Sequence, residues 1–163
     1  MNNCIKHIQN QVYNDLGLSI SDYNTDVESK AYSACQFRLN GRNIISRHAK
    51  ITPKKVGQFV TFWKRNKNGI TVPFNESDTI DFFTVSVSYG AYFGQFVFPK
   101  SVLIAQGILS TKDRDGKRAF RVYPEWDVPQ SKQAIKTQQW QLDFFYQIHD
   151  ETDYKSASDL YTI

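Results

Sequence analysis

Three features of this chain predict an α+β fold with a mainly antiparallel sheet of about seven strands and a helix from each end packed on it. Apolar residues alternate with period two from Tyr32 onward, Gly-containing hairpin turns separate the alternating runs, and helical periodicity is confined to the two ends. At 163 residues the chain is expected to form one domain, residues 1–163, and no linker or low-complexity tract interrupts it.

In the first helix, from about Asn3 to Leu16, Cys4, Ile5, Ile8, Val12 and Leu16 recur at helical spacing, and Gly17 follows as the C′ residue. The polar, acidic segment from Ser19 to Ser29 reads as a loop with a short turn of helix. Tyr32 to Leu39 and Arg42 to Ala49 flank Asn40-Gly41, the strongest short-range signal for a type I′ hairpin. Thr52-Pro53 breaks the second strand. A third runs from Val56 to Arg65 and returns through Asn66 to Gly69 into Ile70 to Phe74, where Pro73 marks a sheet edge. Ile80 to Ser88 and Gly94 to Phe98 form the next pair, and Ser101 is placed to cap a short helix closing at Gly107. Asp113 to Gly116 reads as a hairpin turn into Arg118 to Tyr123. The last helix is expected from about Ser131 to Ile148, with Ala134, Ile135, Leu142, Phe145 and Ile148 on one arc. The tail from His149 is polar, with Leu160, Tyr161 and Ile163 as residues to tuck back.

Charge is segregated. From Ser29 to Asn75 there are ten basic residues (Lys30, Arg38, Arg42, Arg47, Lys50, Lys54, Lys55, Lys64, Arg65, Lys67) and no Asp or Glu. All 16 acidic residues lie outside that stretch, so the net charge of +4 averages two unlike regions. Such a stretch points to a polyanion-binding surface, against a bland alternative of solvated lysines on strand edges. Lys54, Lys55, Lys64 and Arg65 are the candidate phosphate contacts, with Arg47, Lys50 and Lys67 as outer positions. Trp63 and Gln58 are placed to stack on or hydrogen-bond a base, although Trp63 and Phe62, each taken alone, suit core packing better. Gly-Gln-Phe-Val occurs twice, at Gly57 and Gly94, and each buried glutamine needs hydrogen-bond partners from backbone, from the other glutamine or from a ligand.

Other chemistry is sparse. The beginning, Met1 to His7, has neither a basic n-region nor an apolar h-region. The uncharged run Phe82 to Pro99 is interrupted by polar residues and glycines, so no membrane is expected and a cytoplasmic location is. Cys4 and Cys35 allow a disulfide without implying one, and His7, His48 and His149 have no ligand spacing, so no metal site is expected. P-loop, dinucleotide and Ser-His-Asp signatures are missing from the sequence. A divalent-metal nuclease needs an Asp ending one strand and an acid or amide two residues before a Lys on the next. Asp81 and Gln95 resemble half of that pattern, but Val97 stands where the Lys belongs, leaving a looser set of Glu28, Asp81, Gln95 and Lys100.

Four ordered blocks carry a family resemblance. Ala49-Lys-Ile-Thr-Pro-Lys-Lys-Val-Gly-Gln-Phe-Val-Thr-Phe-Trp-Lys-Arg65, Gly94-Gln-Phe-Val-Phe-Pro-Lys100, Gly116-Lys-Arg-Ala-Phe-Arg-Val-Tyr-Pro-Glu-Trp-Asp127 and Lys136-Thr-Gln-Gln-Trp-Gln141 resemble the MepB family. These are small bacterial proteins named for a gene beside a multidrug efflux pump. The resemblance spans nearly the whole chain and implies a single cytoplasmic domain of nuclease-like, nucleic-acid-binding character, with no mechanism to carry over.

The leading expectation is therefore a nucleic-acid-binding protein, DNA ahead of RNA, with no cofactor. The alternatives are a nuclease-like enzyme, the only case that needs Mg²⁺, with Asp81, Gln95 and Lys100, and an adaptor whose basic face meets an acidic protein partner.

Overall fold

The computed structural model describes residues 1–162, and their strands number eleven in three sheets. The largest sheet has six strands: β1 (Ile20–Thr25), β2 (Cys35–Leu39), β3 (Arg42–His48), β8 (Phe82–Tyr89), β9 (Tyr92–Pro99) and β11 (Phe145–Gln147), in that spatial order. Its pairings are antiparallel except β3 with β8, which run parallel. The α+β class is as expected and the pairing is mainly antiparallel, but eleven strands in three sheets replace the one sheet of about seven, and the largest sheet is mixed. The physical reason is a crossover: between β3 and β8 the chain leaves the sheet to form four strands of two smaller ones, and a parallel pair requires such a connection. Those smaller sheets are β10 (Ala119–Val122), β5 (Lys55–Thr61) and β4 (Lys50–Thr52), and the hairpin of β6 (Trp63–Arg65) with β7 (Thr71–Pro73).

Alternation along the central strands feeds two cores. Ile44, Phe82 and Val97 face one side with Phe37, and meet Ile5, Ile8 and Val12 of the N-terminal helical segment and Ala157, Leu160 and Tyr161 near the C-terminus. Ile45, Phe83, Val85, Phe96 and Phe98 face the other side and meet Val60, Phe62, Leu103, Leu109 and Val122. Phe62 lies between Phe83 and Phe74, its ring centroid 3.9 Å and 4.5 Å from theirs.

The single strand expected from Val56 to Arg65 breaks there. Phe62 turns into the core and donates its N–H to Arg118 O, so β5 pairs with β10 whereas β6 turns to β7. The acidic segment expected as a loop holds β1, an irregular edge strand whose register shifts past Asp22, a residue at positive φ. The Asn40-Gly41 turn has both residues at positive φ, as a type I′ hairpin demands.

Helix α1 (Asn3–Ile8) opens on Asn2, whose Oδ1 accepts from Ile5 N, and widens into a π turn over Gln9–Tyr13. Helix α2 (Lys100–Ala105) starts one residue before Ser101, with Pro99 at the cap position, so Ser101 is not the cap. The segment Asp113 to Gly116 is a loop packed on Ile108 to Ser110, not a hairpin turn between paired strands. Helix α3 (Lys132–Leu142) stops short of the expected end, and the residues beyond it supply β11 at the sheet edge. The polar tail forms α4 (Tyr154–Tyr161), capped by Asp153, and Leu160 and Tyr161 tuck into the core; Ile163 lies outside the described residues. Among the described residues no helix is long and apolar enough to cross a membrane.

Candidate functional site

The outer side of the β10–β5–β4 sheet gathers cations around aromatic rings. Register places Phe59 between Arg121 on β10 and Lys50 on β4, so the three side chains form one row across the sheet. The Lys50 ammonium lies 5.0 Å over the Tyr32 ring, which contacts Phe59 at 6.3 Å. Lys54 and Lys55 crown the turn between β4 and β5 and are exposed. None of Lys50, Lys54, Lys55 or Arg121 is in an ion pair among the described residues. Arg121 is fixed instead by neutral acceptors: Thr52 Oγ1 at 2.6 Å and the carbonyls of Val56 and Gly57. Sequence reasoning noted Arg121 on its strand but gave it no part in the anion site, and the cross-strand register with Phe59 is what places it there.

The other candidates are claimed by acids or by the interior. Folding brings carboxylates from just outside the acid-free stretch onto its cations. Lys64 Nζ is 2.5 Å from Asp78 Oδ1, and Arg65 Nε is 2.6 Å from Glu28 Oε1, with the Arg65 guanidinium 5.4 Å over the Trp63 ring. Among the described residues Lys67 is in no ion pair, and it lies in a groove of about 600 Å³ that Asp115 also lines. Arg47, expected as an outer contact, is buried: its side chain is 1% exposed, and Nη1 donates to Asp26 Oδ2 and Ser46 O. Burial lowers its pKa, and the Asp26 carboxylate opposes that shift.

The repeated Gly-Gln pairs are architectural. A Cβ at Gly57 would stand 2.6 Å from the Tyr123 ring, and one at Gly94 would overlap the Phe145 ring, so each glycine admits an aromatic against its strand. Gln58, expected to meet a base, points inward and donates to Ser88 O. Gln95 Oε1 accepts from the hydroxyls of Tyr146 and Tyr161, both at 2.6 Å, and Tyr161 Oη lies 2.8 Å from Tyr13 Oη. Burial pushes the Tyr13 hydroxyl up to about 12 and the other two well above the usual tyrosine value. Raised folded-state values mean that the unfolded chain loses these protons first. Their contribution is complete below pH 10 and is lost as pH rises above it, by up to about 1.4 kcal/mol per pH unit for each tyrosine. Urea unfolding from pH 8 to 11 should therefore show a steep alkaline decline, made shallower by Tyr13→Phe; an equal decline in that variant would place its cause elsewhere.

The nuclease set does not assemble. Asp81 N–H and C=O bond Asn43 O and Lys100 N–H respectively, while its Oδ2 accepts from Asn43 N and Nδ2, so Asn43 holds the carboxylate. Gln95 is paired with Ser86, five residues along β8, on the order of 16 Å away. Lys100 Nζ donates to Asp78 O, and Glu28 is held by Arg65. Among the described residues no three His, Cys, Asp or Glu side chains converge to hold a metal. Cys4 and Cys35 are free thiols, and Cys4 Sγ lies 3.3 Å from His48 Nδ1, with burial pushing the thiol pKa up and the imidazole pKa down.

Two comparisons with known proteins agree. A model of the MepB-like family matches residues 26–147. A solved structure named "Crystal Structure of MepB" is similar to the chain at 32% identity and a TM-score of 0.80, covering 93% of this chain and all (100%) of that one. No curated protein matches.

Proposed function

The chain belongs to the MepB-like family, and we propose that it binds nucleic acid, DNA ahead of RNA, through the outer side of its β10–β5–β4 sheet. The observation that carries this reading is the row Lys50–Phe59–Arg121, with Tyr32 beside it and Lys54 and Lys55 at the adjoining turn. Cations without carboxylate partners are what a phosphate backbone needs, and a ring between them is what a base stacks on. Fixing the Arg121 guanidinium by neutral acceptors keeps its charge available while removing much of its conformational freedom. The two free thiols suit a reducing compartment and so a cytoplasmic location.

The test is a titration of labelled single- and double-stranded oligonucleotides by fluorescence anisotropy at 50 to 200 mM salt. Were each of the four cations to neutralise one phosphate, log affinity for duplex would fall against log salt with a slope of about −3 to −4. Binding indifferent to salt, or none at 50 mM, would remove the polyanion reading and favour a protein partner for this surface.

A further inference from the structure

Beside that surface, on the far edge of the same small sheet, lies a pocket of about 320 Å³ between β10 and α3. Its walls hold Phe120 and Trp140, its cations are Lys117 and Arg121, and none of its lining residues is acidic. The volume is at the small end of ligand pockets, and the charge balance favours an anionic occupant.

The strand edge gives the pocket its chemistry. Phe62 N–H bonds Arg118 O, so the ladder to β5 uses the main chain of residues 118, 120 and 122, and that of Ala119, Arg121 and Tyr123 faces away. Helix α3 satisfies part of this free edge with one carboxamide. Gln141 Oε1 accepts from Tyr123 N at 2.8 Å, and Gln141 Nε2 donates to Arg121 O at 2.9 Å. One step back along the strand stands the equivalent pair, Ala119 C=O and Arg121 N–H. Both belong to residues lining the pocket, and neither has a partner among the described residues. A planar group with adjacent donor and acceptor atoms, spaced as in a carboxamide, matches that pair. Every nucleobase carries such an edge. Lys117, two residues before β10, is in no ion pair among the described residues and lines the same pocket, placed for an attached phosphate.

We infer that this pocket holds one nucleotide unit, its base read by Ala119 C=O and Arg121 N–H between Phe120 and Trp140, and its phosphate held by Lys117. The unit has two sources, a free nucleoside monophosphate or one nucleotide of a bound strand; only the second rests on the function proposed above.

Amide NMR separates them, with AMP, UMP, ribose 5-phosphate and a short single-stranded oligonucleotide as probes. AMP and UMP moving the Ala119 and Arg121 amides, with ribose 5-phosphate acting at Lys117 alone, supports the free source. Shifts there with the oligonucleotide only support the strand source. Thr137→Phe, on the pocket wall, should weaken either response at least tenfold while salt-sensitive oligonucleotide binding through Lys54 and Lys55 persists, and Lys117→Ala should weaken it severalfold in a natively folded protein. If no probe moves the Ala119 and Arg121 amides, or if a natively folded Thr137→Phe responds like the parent, the pocket assignment is overturned even where oligonucleotides still bind. Loss of oligonucleotide binding to the parent protein with AMP binding intact would instead overturn the polyanion surface and leave the pocket standing.

Discussion

Replacing Arg47 with alanine lowers the stability of the protein by about 3–5 kcal/mol and leaves its affinity for oligonucleotides unchanged. The guanidinium is enclosed between the central sheet and the segment that carries Asp26, with its charge matched there and a second bond to Ser46 O. Alanine empties that space and leaves the half-buried Asp26 carboxylate without its cation. For a domain of this size the loss corresponds to a fall in Tm of about 10 °C. Arg47→Met fills most of the volume without a charge, and replacing a buried ionic group with a well-packed apolar one is often near neutral, so this variant should recover most of the stability. Calorimetry and anisotropy on both variants decide the matter. If Arg47→Ala keeps its Tm but binds oligonucleotides more weakly, then Arg47 reaches the ligand and its burial is not what holds it in place.

Arg47 also shows what the sequence hides. Counting charges along the chain finds a basic stretch because Asp26, Glu28 and Asp78 lie just beyond its ends, yet these three residues fold back onto Arg47, Arg65 and Lys64. Sequence distance and spatial distance diverge most across a crossover, and the parallel β3–β8 pair is made by one. Lys54 and Lys55 escape this pairing because a tight turn carries them outward, and of that turn only the strand break at Thr52-Pro53 was readable. The Asn40-Gly41 hairpin was readable for the same local reason. Strand β1 was not, since its polar residues face solvent and only Ile20 and Tyr23 pack inward against the core. Nor was the break at Phe62, where the pattern of alternation continues unbroken and only the stacking on Phe74 and Phe83 shows which way the chain turns. Arg121 lies 46 residues after the basic stretch ends, so only pairing with Phe59 could bring it into the site.

The sharpest separation between paired and unpaired cations comes from two double substitutions. Lys54→Glu with Lys55→Glu removes two attractive contacts and adds two repulsive ones. At about 1 kcal/mol for a charge pair at 4 Å in a water-like dielectric, partly screened, the loss should be about 2 kcal/mol or more, roughly 30-fold in affinity. The salt slope should also flatten by about 1.8, the share of two phosphates. Both residues are exposed at a turn and in no ion pair among the described residues, so the thermal midpoint should stay near that of the parent. Lys64→Met with Arg65→Met is the counterpart. These two charges are already matched by Asp78 and Glu28, so their removal should cost little affinity at the same salt. Should the second pair of changes abolish binding and the first leave it intact, the nucleic-acid surface would move from the β4–β5 turn to the groove beside the β6–β7 hairpin, where Lys67 and Arg118 would become its principal cations.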